Sequence, residues 1–139
     1  MINVKNILVL AGVIEILVGL LHFVMPYFAY QSHGFQMLNT NEINFVTLVI
    51  YAVGILLVAF GSVSILLAQY TQSMQKIILY YLIIKSVLWM ARVVLELIYP
   101  VNLNMFFVEK FTLVILPGLV IETFLFLFAI LLLTCYKVK

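Results

Sequence analysis

Charge is what this sequence has least of: 9% of its 139 residues are charged, against about a quarter in an average soluble domain. So few ions cannot keep the surface of a domain of this size wet, which excludes a water-soluble fold. A single cysteine, Cys135, excludes an internal disulfide and leaves no CxxC or Cys/His spacing for zinc or an iron–sulfur cluster. Nor is there an excess of one sign, with seven Lys and Arg set against five Asp and Glu. No basic patch can form, and nucleic-acid binding is excluded. What is abundant is apolar surface: 67% of the residues are hydrophobic and 14% aromatic, with a mean hydropathy of +1.29. A chain with this much to bury is not disordered.

The apolar residues fall into four long runs, about 7–25, 45–68, 77–99 and 111–135. Each reaches the roughly 20 residues that a helix needs to cross about 30 Å of hydrocarbon. The runs are unbroken rather than alternating, so the reading is helical and not a barrel. The fold class is all-α: a polytopic membrane protein, one domain built as a four-transmembrane-helix bundle. Glu15 interrupts the first run and no small-x-small site follows it, so this run is expected to stay attached rather than act as a cleaved signal. Short loops are expected at Gln31–Asn44, Tyr70–Lys76 and Pro100–Lys110. Asn39 with Glu42 forms a capping-box pattern before the second span, Ser73 is positioned to cap the third, and Pro26 and Pro100 are expected to end the first and third.

Lys5, Lys76, Lys137 and Lys139 fall at the tails and the middle loop, whereas the other two loops carry only Lys110. Retention of positive charge then predicts both termini on the cytoplasmic side. Tyr27, Tyr30, Tyr70, Tyr99 and Tyr136 lie near span ends, where interfacial anchors belong.

Ionisable residues inside the spans carry the functional information. Glu15 and His22 lie in the first, Lys85, Arg92 and Glu96 in the third, and Glu122 in the fourth. Charge at a helix centre costs about 2.5 to 3.5 kcal/mol on insertion scales, so such groups face the bundle interior and find partners. Gly12, Glu15, Gly19 and His22 share one helical face, as do Tyr81, Lys85, Trp89, Arg92, Glu96 and Tyr99. The second span presents a small-residue face, Thr47, Tyr51, Gly54, Val58, Gly61 and Ala68, suited to close helix approach. The fourth presents Ile115, Gly118, Glu122, Phe126 and Ala129, with Pro117 loosening its first half.

By depth, Glu15, Lys85 and Glu122 form an inner layer near mid-membrane, and His22, Arg92 and Glu96 an outer layer toward the outer loops. The inner layer holds two carboxyls for one ammonium. One carboxyl must then hold a proton or be met by a cation from the other layer. Two readings follow. Glu15 or Glu122 with Lys85, and Arg92 with Glu96, can serve only to hold the helices in register. Alternatively, Glu15, His22, Tyr51, Lys85, Trp89, Arg92, Glu96 and Glu122 line an outward-opening polar pocket for a small or lipophilic molecule. In that pocket Arg92 and Lys85 would meet an acidic or carbonyl group and Trp89 and Tyr51 would supply apolar contact. Glu96 would orient Arg92, with Glu15, Glu122 and His22 for proton balance.

No metal or other cofactor is expected: Glu15 and His22 are about 10 Å apart along the axis, Glu-x-x-His is absent, and a second buried histidine for haem is lacking. Ser62 and Ser64 read as small packing residues rather than nucleophiles. Partners implied are the lipid bilayer, a small lipophilic ligand, and further copies of the chain or a larger membrane complex. Whether the chain is an enzyme is left open.

With GVIEILVGLLHFVMP at 12–26, GILLVAFG at 54–61 and Arg92 midway along the third span, the chain resembles the DoxX-like four-helix membrane proteins. That resemblance implies an accessory subunit, or small-molecule handling, in a bacterial membrane. Glu15 in AGVIEILVG is also similar to the mid-span glutamate of the small multidrug resistance exporters, which implies proton-coupled transport. The long first outer loop and Lys85 and Arg92 depart from that pattern. A membrane enzyme acting on a quinone or lipid is the third alternative.

Overall fold

The computed structural model describes residues 3–100 and 112–135. Among the described residues five helices follow one another: α1 (Val4–Ala29), the single-turn α2 (His33–Gln36), α3 (Thr40–Ala68), α4 (Gln75–Ile98) and α5 (Thr112–Cys135). No strand occurs among the described residues. The four long helices, α1, α3, α4 and α5, are each long and apolar enough to cross a membrane, as the four hydrophobic runs require. The Pro100–Lys110 loop beyond Pro100, Phe111 at the start of the fourth run, Tyr136, Lys137 and Lys139 lie outside the described residues.

Local chemistry sets the helix ends. Asn39 Oδ1 accepts from the Glu42 N–H at 3.0 Å while Glu42 Oε2 accepts from the Asn39 N–H at 2.8 Å, which completes the expected capping box. Two expected boundaries are corrected. Pro26 lies inside α1, which continues to Ala29 and closes with the Tyr30 N–H donating to the Pro26 carbonyl at 2.9 Å. A proline removes its own donor but leaves its carbonyl in place, and an apolar membrane helix tolerates that loss. Ser73 does not cap α4: Met74 occupies the N-cap without a side-chain bond, and Ser73 Oγ donates within the turn to Tyr70 O at 3.4 Å. The helix begins one residue too late for Ser73 to reach its free N–H groups. The first loop is also shorter than expected, because it contains α2 and gives way to α3 at Thr40.

Chain order makes two helical hairpins, α1 with α3 and α4 with α5, and α1 also packs on α5. Glycine holds the first hairpin together. A Cβ placed on Gly12 would lie 2.6 Å from the Gly61 carbonyl oxygen, and one on Gly19 would lie 2.8 Å from that of Gly54. In lipid, helices gain nothing from excluding water, so backbone-to-backbone approach at small residues supplies the dispersion contact that pairs them. Across the hairpins the core comprises Ile7, Leu8 and Ala11 of α1, Ala68 of α3, Ile78, Leu82 and Trp89 of α4, and Leu119, Phe126, Ala129 and Leu133 of α5. Most of these residues fill the end of the bundle that carries the N-terminus of α1 and the C-terminus of α3, while Trp89 stands midway along α4 and Leu119 lies one turn nearer the α2 end than Glu122. Toward the α2 end, among the described residues, burial passes to Gly19, Pro26, Ala29, Gly54 and Glu96. Large apolar side chains such as Leu17, Leu48, Ile55, Ile84, Leu97 and Phe124 point outward on all four long helices, as hydrocarbon contact demands.

Candidate functional site

In an apolar bundle each buried hydroxyl or charge must find its partner inside the protein. Ser62, Ser86 and Thr123 do so by donating to the carbonyl four residues back, each at 2.8 Å. The ionisable residues need more.

Glu15 lies on the α1 face bounded by Gly12 and Gly19 and is fully buried. Close approach of α3 at those glycines brings the carboxyl against α3 and α4 together. Lys85 of α4 forms an ion pair with Glu15 Oε1, and the Trp89 indole one turn further along donates to that same oxygen at 2.9 Å. The other oxygen, Oε2, accepts from Ser64 Oγ of α3 at 3.4 Å. Ser64 Oγ is in turn 2.6 Å from Tyr81 Oη, and both hydroxyls lie within reach of the Phe60 carbonyl oxygen, Ser64 at 3.1 Å and Tyr81 at 2.9 Å, so a hydrogen bond donated by Tyr81 to Ser64 leaves the serine free to donate to Glu15. Three rings surround the Lys85 ammonium, with centroids at 4.6 Å for Phe60, 5.4 Å for Phe126 and 5.9 Å for Trp89. Aromatic faces attract a cation, and more so where water is excluded.

Glu122 completes the inner layer from α5, one turn before Phe126. It is 1% exposed and lies within electrostatic range of both Glu15 and Lys85. Among the described residues neither of its oxygens has a hydrogen-bond partner. Glu15 therefore takes the ammonium, the indole and the serine, while Glu122 takes none of them. With all three groups ionised, the layer carries two negative charges and one positive.

One level further toward the α2 end, Arg92 Nη2 lies 2.6 Å from Glu96 Oε2 on the same face of α4. Glu96 is completely buried, whereas the Arg92 side chain is 42% exposed. The cation of the outer layer is thus engaged within its own helix and does not serve Glu122. His22 is half-buried at the α1–α3 contact beside Gly54, and its Nδ1 lies 2.8 Å from the Val18 carbonyl oxygen. A carbonyl only accepts, so Nδ1 carries the hydrogen and Nε2 is left as the other ring nitrogen. Tyr51 faces outward from α3 and stacks on Phe23 of α1, with ring centroids 5.7 Å apart.

The structure thus joins Glu15, Lys85, Trp89 and Glu122 in one closed layer and Arg92 with Glu96 in a second. It sets His22 and Tyr51 apart along α1 and α3. Two contributors were missed by the sequence reading, Ser64 and Phe60, while Tyr81 and Phe126 were placed on the faces of Lys85 and Glu122 but not in the site. Ser64 follows Gly61 by three residues and so shares its inward face, a signal that the reading of serine as filler overlooked. A groove of about 440 Å³ lies elsewhere, at the start of α3, among Leu38, Asn39, Asn41, Glu42, Phe45 and Val46. Among the described residues no three His, Cys, Asp or Glu side chains converge as metal ligands would. The chain matches no protein-family model, no curated protein and no solved structure.

Proposed function

We propose that this chain is an integral protein of a bacterial cytoplasmic membrane, with both termini cytoplasmic, whose bundle interior binds a small or lipophilic molecule. Glu122 carries the reading. A buried carboxyl without a donor costs several kcal/mol that the surrounding apolar core does not return. Ser62, Ser86 and Thr123 in the same bundle all have local partners. A donor brought by a bound molecule satisfies Glu122, and Trp89, Phe126 and Phe60 supply the apolar walls. Exposure of the Arg92 side chain, 42%, supports access from the outer side, past Arg92, Glu96, His22 and Tyr51. The resemblance to DoxX-like proteins points the same way, and a role as accessory subunit in a larger complex or homo-oligomer is compatible with it. Proton-coupled transport, or turnover of a quinone or lipid, would be the outcome if the bound molecule crosses the membrane or reacts.

Trp89 is the single tryptophan of the chain and sits in the layer, so its emission reads the site without a label. The protein in lipid nanodiscs is titrated with fractions of a bacterial membrane extract. A saturable change in emission that is lost in a folded Glu122→Leu variant supports the reading. Emission unmoved by every fraction, or moved equally in the variant, overturns it.

A further inference from the structure

Both intramembrane cations are spoken for. Lys85 is paired with Glu15 and Arg92 with Glu96, so an acidic or carbonyl ligand would share either cation with a carboxylate already in place. Among the described residues Glu122 is an acid both oxygens of which lack a donor. Counted as ionised groups, the inner layer is one positive charge short.

Resting on the binding site proposed above, we infer that its ligand is a lipophilic ammonium, the charged head on Glu122 and the apolar tail between the hairpins. Three features carry this. Glu122 is 1% exposed, so its carboxylate attracts a cation in a poorly screened environment, where a charge-assisted bond is strongest. The neighbourhood already holds one ammonium, that of Lys85, against three aromatic faces, and Phe126 stands one helical turn from Glu122 on the same face of α5. The charged groups facing this layer are Glu15 from α1 and Lys85 from α4, with the Tyr81 hydroxyl reaching Ser64 of α3. Because Glu15 and Lys85 neutralise each other, an ionised Glu122 has no counter-charge of its own in the layer, and a bound ammonium would supply it.

The route follows from the packing. α1 and α3 are locked by glycine contacts. Against that hairpin α5 packs on α1, and α4 reaches it through side chains: Lys85 and Trp89 to Glu15, and Tyr81 to Ser64 and the Phe60 carbonyl. Side-chain bonds of this kind can part and reform while each hairpin keeps its own packing, which admits a narrow alkyl chain from the lipid.

The test is a Trp89 fluorescence titration of the protein in phosphatidylcholine nanodiscs at neutral pH, with hexylammonium, hexanoate and hexanol as probes of matched length. The expected result is saturable binding of hexylammonium, about tenfold or more tighter than either other probe, as one charge-assisted bond allows. Glu122→Gln should bring hexylammonium to within about twofold of hexanol. Glu122→Asp, which keeps the charge, should retain the preference and guards against loss of fold in the glutamine variant. Tighter binding of hexanoate or hexanol overturns the charge class but leaves the binding site standing. A preference for hexylammonium that survives Glu122→Gln overturns the assignment of the anchor. A Glu122-dependent response to pH alone, with no saturation by hexylammonium, shows a proton site and overturns the inference. If no probe and no membrane fraction moves the emission, the binding site itself falls.

Discussion

Gly12 of α1 and Gly61 of α3 face each other so closely that a Cβ on Gly61 would stand 2.5 Å from the Gly12 carbonyl oxygen, and one on Gly12 2.6 Å from that of Gly61. The obstruction on each side is backbone, which cannot turn aside as a side chain can. This contact also fixes how near α3 comes to Glu15, and so whether Ser64 reaches its carboxyl.

Gly61→Ala is therefore expected to destabilise the folded bundle by about 1 to 3 kcal/mol, the range for overpacking a close contact. Gly118, whose added Cβ would meet nothing within 4 Å, is the control: Gly118→Ala should leave stability unchanged or raise it by a few tenths of a kcal/mol. Reversible unfolding in mixed micelles measures both. Equal effects would mean that the α1–α3 contact is not a close one.

Lys85→Met should cost about 3 kcal/mol or more, because it strands the buried Glu15 charge. Adding Glu15→Gln, which keeps an acceptor for the Trp89 indole, should recover most of that loss, since a neutral pair needs no counter-charge. Leu17→Ala on the outward face of α1 should do far less. A double-mutant cycle reads the coupling, and additive losses would refute the pair.

Asn39→Ala removes half of the α3 capping box and is expected to cost about 1 kcal/mol. Ser73→Ala removes a hydroxyl that bonds only within its own turn and should cost little. The same unfolding measurement separates them. A larger loss at Ser73 would restore it as the α4 cap.

The proposed orientation is checked in a Cys135→Ser background with single cysteines introduced at Ser32 and Ser73. An impermeant thiol reagent added to intact cells should label position 32 and leave 73 untouched until the membrane is opened. Reversed labelling would place the α2 end in the cytoplasm and turn the access route around.

The four spans were legible in the sequence, because run length against hydrocarbon thickness and the need to satisfy every backbone group leave a chain this apolar no other regular structure. Side-chain periodicity was equally informative about faces: Gly12, Glu15 and Gly19 are buried together, as are Lys85, Trp89 and Glu96. The Asn39–Glu42 box could be read because both partners lie within one turn. Spacing along a helix, however, gives a residue's face and depth but not the neighbour across the gap. Glu15 and Glu122 fall at the same depth, and nothing in their local sequence says which of them Lys85 will choose. That choice was made by the tertiary structure. The glycine contact draws α3 against α1, delivers Ser64 to Glu15, and aligns Trp89 with the same carboxyl, so that three donors converge on one acid. Glu122, approaching from α5, meets only apolar walls and the field of a pair already formed.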